Sequence, residues 1–141
     1  MANKNNLIFF NAYIELDKAC ANRMGVKQNG VSSYINKLVE HRFAPGRSEA
    51  LAKLIKYRNC RNTMAHEANA LRDGSEVTKA DIKWIQSFTR LVSRKADPIS
   101  KYERMSGFYS FWQKVRTLII IAILAGGAYS IYYLLEYFQL L

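Results

Sequence analysis

The sequence predicts an all-α protein, an antiparallel four-helix bundle followed by a juxtamembrane helix and one transmembrane helix. In the first part of the chain, apolar residues recur at helical spacing, and no stretch alternates as a half-buried strand would. Further on, residues 117–135 form a run of nineteen uncharged positions. A helix of that length extends about 28 Å, close to the thickness of the hydrocarbon core of a bilayer.

The first two predicted helices cover residues 6–24 and 31–43. Each carries apolar side chains at the i, i+3 and i+4 positions that bring them to one face of a helix. Gly25 is expected to stop the first helix. The pair Pro45 and Gly46 is expected to form the turn after the second helix.

The third predicted helix covers residues 49–71, and Ser48 is expected to cap its N-terminus. The fourth begins at Thr78. Asp81 follows three residues later, which is a variant of the capping box. Short connections between four helices favour an antiparallel bundle.

Composition divides the chain into segments with different expected environments. A cytoplasmic helical domain over residues 1–96 is followed by a linker and juxtamembrane amphipathic segment over 97–116. The transmembrane helix follows over 117–137, and residues 138–141 form a short tail. The linker is placed by Pro98, which a regular helix interior does not accommodate.

The charges predict how the chain lies in the membrane. Its formal net charge is +10, and all 21 Lys and Arg residues precede Thr117. The positive-inside rule therefore predicts a single-pass, tail-anchored protein of the inner membrane with a cytoplasmic N-terminal domain. The net positive charge suits binding to anionic lipid head groups, to nucleic acid or to both, and charge alone does not distinguish between these partners.

The stretch Tyr57–Glu67, "YRNCRNTMAHE", concentrates polar side chains on the third helix. At about 100° per residue, Arg58, Asn62 and His66 form a row along one face, and Arg61 flanks this row from the other side. One interpretation is a solvated face of a basic protein. The other is a functional site, because asparagine is a poor helix former and would lower helix stability on a surface that has no function.

The six residues from Arg61 to His66 resemble the signature of HEPN domains, an arginine followed after four to six positions by a histidine. The resemblance extends over about residues 5–96, and the membrane span lies outside it. HEPN domains are all-α domains of this size. The resemblance implies a metal-independent ribonuclease that dimerises so that two copies of the motif line one cleft.

The residue types suit that chemistry. Histidine can transfer protons near neutral pH, and arginine can stabilise a phosphate that gains charge in the transition state. The candidate catalytic residues are Arg61, Asn62 and His66, and the candidate RNA-binding residues are Arg58, Asn59 and Asn69. Because Arg61 and His66 are about 140° apart on one helix, a second copy is expected to complete the site.

The span carries small residues at every fourth position, namely Ala122, Gly126 and Ser130. This pattern allows close helix packing in lipid and favours self-association. No cofactor or metal is expected, since there is no glycine-rich phosphate loop. The two cysteines, Cys20 and Cys60, also lack metal-ligand spacing.

Two functional hypotheses follow. The first is a membrane-anchored HEPN ribonuclease in antiviral defence or toxin action, acting on RNA as a homo-oligomer. The second is a non-catalytic HEPN-like module that assembles its transmembrane helices into a membrane-disrupting or pore-like effector. A membrane-bound HEPN accessory protein of type VI CRISPR systems combines similar parts. A basic face that recruits another protein of a defence system is a third interpretation.

Overall fold

The computed structural model describes residues 4–67 and 77–138, and within them every regular element is a helix. The all-α prediction is therefore confirmed for this part of the chain. The helices are α1 (Lys4–Met24), α2 (Gly30–Glu40), α3 (Arg47–His66), α4 (Lys79–Ser93) and α5 (Pro98–Tyr137). They form two compact units, the first ending at Tyr102 and the second beginning at Glu103.

In the first unit, α1 is the central helix and packs against α2, α3 and α4. Its buried side chains lie on one stripe and include Phe9, Tyr13 and Leu16. The ring of Phe9 meets the ring of Tyr57 from α3 edge-on, with centroids 5.9 Å apart. Aromatic pairs in this geometry add to the free energy of burial, so they fix α3 against α1.

A glycine sets the close approach of α1 and α2. A Cβ atom at Gly30 would overlap the carbonyl oxygen of Asp17 and the backbone nitrogen of Ala21. Near this crossing, Cys20 is fully buried, and burial, with the nearby Asp17 carboxylate, raises the pKa of its thiol. Cys20 is therefore a packing residue of the first unit.

The capping predictions gave one correct and one wrong result. Thr78 caps α4 with Asp81 in a reciprocal capping box, as predicted. Ser48, in contrast, lies inside α3, and Gly46 occupies the N-cap in a left-handed conformation without a side-chain cap. Glycine adopts that conformation without steric cost, so the backbone turn itself starts α3.

Two helices end earlier than the sequence predicts. The second helix ends at Glu40 rather than at residue 43. Its last backbone hydrogen bond is donated by the His41 amide to the Lys37 carbonyl. The third ends at His66 because Glu67 has an extended backbone. The predicted continuation of that helix to residue 71 extends beyond Glu67 into residues that lie outside the described ones.

Helix α5 begins with Pro98 at its first position, where a missing N–H group costs no hydrogen bond. Asp97 precedes it and accepts a hydrogen bond from the Ser100 amide at 3.3 Å. The buried Asp97 carboxylate also accepts from the Tyr34 hydroxyl at 2.8 Å. Burial, with the Asp97 charge, raises the pKa of Tyr34. Residues 98–102 of α5 thus belong to the first unit, and the proline expected in a linker starts a helix instead.

In the second unit, α5 exposes nearly all of its side chains. Among the described residues, it is the part of the chain that is long and apolar enough to cross a membrane. Its central residues are open, for example Ile123 at 67 % and Leu124 at 68 % exposure. The described residues of this unit form no apolar core of their own, as expected of a helix that could face lipid.

Candidate functional site

The core contacts of α3 determine which of its side chains reach the surface. Leu54, Tyr57 and Met64 are buried, and the hydroxyl of Tyr57 donates to Asp81 of α4 at 2.7 Å. With this stripe fixed, Arg58 and Arg61 lie at its margins and are half-buried. The packing of α3 thus holds two guanidinium groups at the edge of the core.

These arginines border a cavity of about 320 Å³, which we name the basic cleft. Helices α1 and α3 and the start of α2 form its walls. Its polar lining consists of side chains from all three helices: Tyr13, Asp17, Lys18, Ser32, Arg58 and Arg61. Asn29 and Asn62 also line it. The cleft lies within the first compact unit.

The α1–α2 crossing shapes one wall of the basic cleft. Because Gly30 has no side chain, the first turn of α2 lies directly on the backbone of α1. Asp17 Oδ1 accepts a hydrogen bond from the Val31 amide at 2.9 Å. Asn29, with φ of 55°, is in the left-handed region that asparagine tolerates better than most residues. This turn brings Ser32 to the cleft.

The positive charges converge on Tyr13. Burial and the Asp17 carboxylate raise the pKa of the Tyr13 hydroxyl, whereas the positive charges of Arg61 and Arg58 pull that pKa down. Both guanidinium groups are therefore close enough to act on the same oxygen. Arg61 lies over the Phe10 ring, 5.8 Å from its centroid, and its Nη1 donates to Asn62 Oδ1 at 3.3 Å. These contacts fix the orientation of the Arg61 guanidinium group and of its N–H donors.

The structure thus groups the arginines differently from the helical wheel. The sequence set Arg61 apart from the row of Arg58, Asn62 and His66. In the structure, Arg58, Arg61 and Asn62 share the basic cleft. The i, i+3 and i+4 spacing keeps these three residues within about 100° of one another on α3, so all three can border one cleft.

His66 is the last residue of α3, and its side chain is exposed. Within the described residues, it is not part of the lining of the basic cleft. It lies about 7.5 Å beyond Arg61 along the helix axis and about 140° around it. The two side chains therefore leave α3 in different directions.

Asn59 and Asn69 are the two remaining RNA-binding candidates. Asn59 is exposed on α3 and is not part of the lining of the basic cleft in the described part of the chain. Asn69 lies outside the described residues. Residues 4–67 and 77–138 also hold no group of three His, Cys, Asp or Glu side chains placed as metal ligands.

Sequence reasoning missed the α1 and α2 contributions to the cleft. Tyr13 and Asp17 are four residues apart, so they lie on one face of α1, where a tyrosine followed by a carboxylate interrupts the apolar stripe. Ser32 follows the Asn29–Gly30 turn. Packing of α1 against α3, where Phe9 meets Tyr57, brings Tyr13 and Asp17 to the arginines, and the contact at Gly30 adds the start of α2. The sequence alone specifies neither contact.

The small residues of α5 form the second candidate surface. A Cβ atom added to Gly126 would meet no atom outside its own helix within 4 Å, so this face is open. The Ser130 hydroxyl donates to the Gly126 carbonyl at 2.8 Å, which satisfies the hydroxyl within its own helix. A second helix could therefore approach this face without leaving an unsatisfied hydroxyl in lipid.

No curated protein and no solved structure matches the chain. The sequence profile of a family of unknown function, DUF6548, matches residues 7–122. The matched region contains the whole basic cleft, His66 and the first turns of the apolar part of α5. The chain therefore belongs to the DUF6548 family.

Proposed function

We propose that the chain is a membrane-anchored protein of HEPN type that binds RNA along α3 and cleaves it without a metal ion, as a homo-oligomer. The proposal depends on one observation: Arg58, Arg61 and Asn62 converge in one cleft, and the exposed His66 ends the same helix. The all-α fold of the first unit supports a four-helix HEPN-like arrangement. Antiviral defence or toxin action would be its biological setting.

The proposed reaction needs two kinds of group at one phosphodiester. A base removes the proton of the ribose 2′-hydroxyl, the resulting oxygen attacks the phosphorus, and the 5′-oxygen leaves with a proton from an acid. His66 can transfer these protons, and Arg61 can stabilise the phosphate charge. The products are a 2′,3′-cyclic phosphate and a 5′-hydroxyl end. Asn62 would help to hold the phosphate.

A second copy would solve the geometric separation of Arg61 and His66. In a dimer related by a two-fold axis, each α3 meets the same surface of the other copy. Arg61 of one copy and His66 of the other could then face one phosphate, although they are about 140° apart on a single helix. The exposure of His66 keeps it accessible to such a pairing.

The membrane arrangement supports a cytoplasmic RNA-binding domain. All 21 Lys and Arg residues precede Thr117, and Arg104, Lys114 and Arg116 lie just before the apolar stretch. We propose that α5 crosses the inner membrane once and that the first unit faces the cytoplasm. The basic residues before the span would contact anionic lipid head groups.

Cleavage of single-stranded RNA by the full chain in detergent, with a chelator present, tests the catalytic proposal. We expect His66→Ala to slow cleavage at least about 100-fold, the usual loss when an acid–base group is removed. Thr63→Ala is the matched control, since Thr63 is an exposed neighbour on α3. Equal rates for the His66→Ala variant and the parent would remove His66 from the mechanism.

The open small-residue face of α5 favours a second candidate function, assembly of the spans into a pore-like complex. In this case, leakage of dye from liposomes should persist in an Arg61→Ala/His66→Ala double variant. It should be lost in Gly126→Ile, which fills the close-packing face, and retained in Ile119→Leu. Leakage that disappears in the double variant but not in Gly126→Ile would argue against this candidate.

A further inference from the structure

The charges of the basic cleft are matched to a particular class of anion. Lys18, Arg58 and Arg61 supply three positive charges, and Asp17 supplies one negative charge. The lining therefore carries a formal excess of two positive charges. A phosphodiester in an RNA backbone carries one negative charge, whereas a terminal phosphate monoester carries close to two at neutral pH. The cleft is complementary to the monoester.

The hydrogen-bond donors of the cleft support the same class. The guanidinium groups offer forked donors that suit phosphate oxygens, and Ser32 and Tyr13 add hydroxyl groups. The first turn of α2 also contributes, since the positive end of a helix favours an anion. Asn29 makes no side-chain cap there, although the Val31 amide of this turn already donates to Asp17 Oδ1.

Asp17 disfavours an anion that brings no hydrogen-bond donor to the cleft. Its Oδ1 is held by the Val31 amide at 2.9 Å, which leaves Oδ2 to accept a hydrogen bond from a ligand. A carboxylate beside a phosphate is unfavourable unless the ligand also brings a donor to it. A ribose hydroxyl next to the phosphate would be such a donor. The cleft therefore suits a phosphorylated sugar better than inorganic phosphate.

The size of the cleft limits what enters it. At about 320 Å³, it is at the lower end of the range of small-molecule sites. That volume holds a ribose phosphate and part of a base, but no helical nucleic acid. A phosphate at the end of a strand fits this volume without the rest of the strand entering the cleft.

From these observations we propose that the basic cleft binds the terminal phosphate monoester of a phosphorylated ribose. The ligand is either a free mononucleotide or the phosphorylated end of an RNA strand. The proposal shares Arg58 and Arg61 with the proposed function, but it needs neither His66 nor a second copy. It holds whether or not the chain cleaves RNA, and its failure would leave the His66 experiment unaffected.

Isothermal titration of the full chain in detergent with AMP and with adenosine tests this proposal. We expect AMP to bind and adenosine not to bind. Arg58→Gln should weaken AMP binding at least about tenfold, the usual loss for a charge-assisted hydrogen bond to phosphate. Lys83→Gln is the matched control, because it removes one positive charge from an exposed position of α4 outside the cleft lining.

Two further arms separate the sources of the phosphate. An oligoribonucleotide with a 5′-phosphate is compared with the same oligoribonucleotide carrying a 5′-hydroxyl. Tighter binding of the phosphorylated strand than of AMP identifies an RNA end, and the reverse order identifies a free nucleotide. If neither AMP nor the 5′-phosphate binds better than its unphosphorylated counterpart, the proposal is wrong.

Asp17→Asn tests the sugar contact, because asparagine keeps an oxygen that can accept from Val31. We expect this variant to bind inorganic phosphate more tightly and to lose most of the preference for AMP over inorganic phosphate. An equal gain for both ligands would contradict a ribose hydroxyl at Asp17. Near-ultraviolet circular dichroism of every variant checks that the first unit is folded.

Discussion

The two compact units contain similar apolar side chains but place them in opposite environments. In the first unit, Phe9 and Leu54 are fully buried, and aromatic contacts join α1, α3 and α4. In the second unit, Phe111 is 62 % exposed and Leu124 is 68 % exposed. The first unit buries these side chains within its own chain, whereas the second leaves Phe111 and Leu124 open to another partner.

The difference shows that apolar content alone does not distinguish a core helix from a lipid-facing one. The distribution of apolar residues around the helix axis does distinguish them. In α4, apolar residues occupy one stripe, and Ile82, Ile85 and Phe88 are buried. In the apolar part of α5, they occupy every side, so no single packing partner within the chain could cover them. Substitutions in matched pairs can test this contrast.

The largest expected effect is on insertion of α5 into the membrane. Leu124→Lys combined with Ala128→Lys places two charges near the middle of the apolar stretch. Each costs about 3 kcal/mol at the centre of a span, so insertion should weaken by about 6 kcal/mol. Fractionation of the full chain between membrane and soluble pools measures this loss. Leu124→Ile with Ala128→Val is the control, and a lysine variant that stays in the membrane would refute a spanning α5.

The next effect compares two phenylalanines. Phe9→Ala should lower the free energy of unfolding of the first unit by about 4 kcal/mol, because it leaves a cavity in the core. Phe111→Ala should leave that free energy unchanged, since Phe111 is exposed in the second unit. Urea unfolding of the full chain in detergent, followed by circular dichroism, measures both. Similar losses for the two variants would mean that the units do not differ in packing.

Two glycines provide a smaller contrast. Gly30→Ala should destabilise the first unit by about 3 kcal/mol, since the added Cβ meets the backbone of α1 and forces the helices apart. Gly107→Ala meets no neighbouring atom and should not destabilise the protein. The same unfolding measurement applies. A neutral Gly30→Ala would show that α1 and α2 are not in the close contact that shapes the cleft.

The smallest effect compares an enclosed carboxylate with an exposed one. Burial of Asp81 opposes its charge, but hydrogen bonds from the Thr78 amide and the Tyr57 hydroxyl lower its pKa from the usual 3.8 to about 2. The lowered pKa means that Asp81 contributes stability above about pH 4 and loses it as the pH falls towards 2. The contribution is about 2 kcal/mol, since one pKa unit corresponds to about 1.4 kcal/mol.

Asp81→Asn should therefore flatten the acid dependence of the unfolding free energy between pH 5 and pH 2, measured in urea. Glu49 also has a lowered pKa, caused by the hydrogen bond from Lys53, but it is fully exposed. Glu49→Gln is the matched control and should leave the acid dependence as it is in the parent, because water screens exposed pairs. An unchanged profile for Asp81→Asn would contradict the enclosed pair with Tyr57.

Local signals in the sequence predicted much of the fold. The all-α class, the α4 capping box and the apolar stretch of α5 each depend on residues close together in the chain. The helix ends were less predictable. Ser48 is a good capping residue, yet it lies inside α3, which starts after the left-handed Gly46.

The candidate site could be predicted only in part. The sequence singled out Arg58, Arg61 and Asn62, and the structure places all three in one cleft. The wheel set Arg61 apart because it lies on the other side of Arg58 from Asn62, although it is only about 60° from Arg58. The partners Tyr13 and Asp17 come from a helix more than forty positions away in the sequence. They meet the arginines through the packing of α1 against α3, which is a tertiary contact that no local pattern indicates.

Because Cys20 is buried, chemical labelling of its thiol can measure how fast the first unit opens. Its sulfur is inaccessible in the folded state, and its raised pKa keeps it as the unreactive thiol. Cys60, by comparison, is partly accessible. In a Cys60→Ser background, the rate at which a thiol reagent labels Cys20 would follow the opening of α1 itself. That rate can be read in intact membranes, where denaturant titrations cannot be performed cleanly.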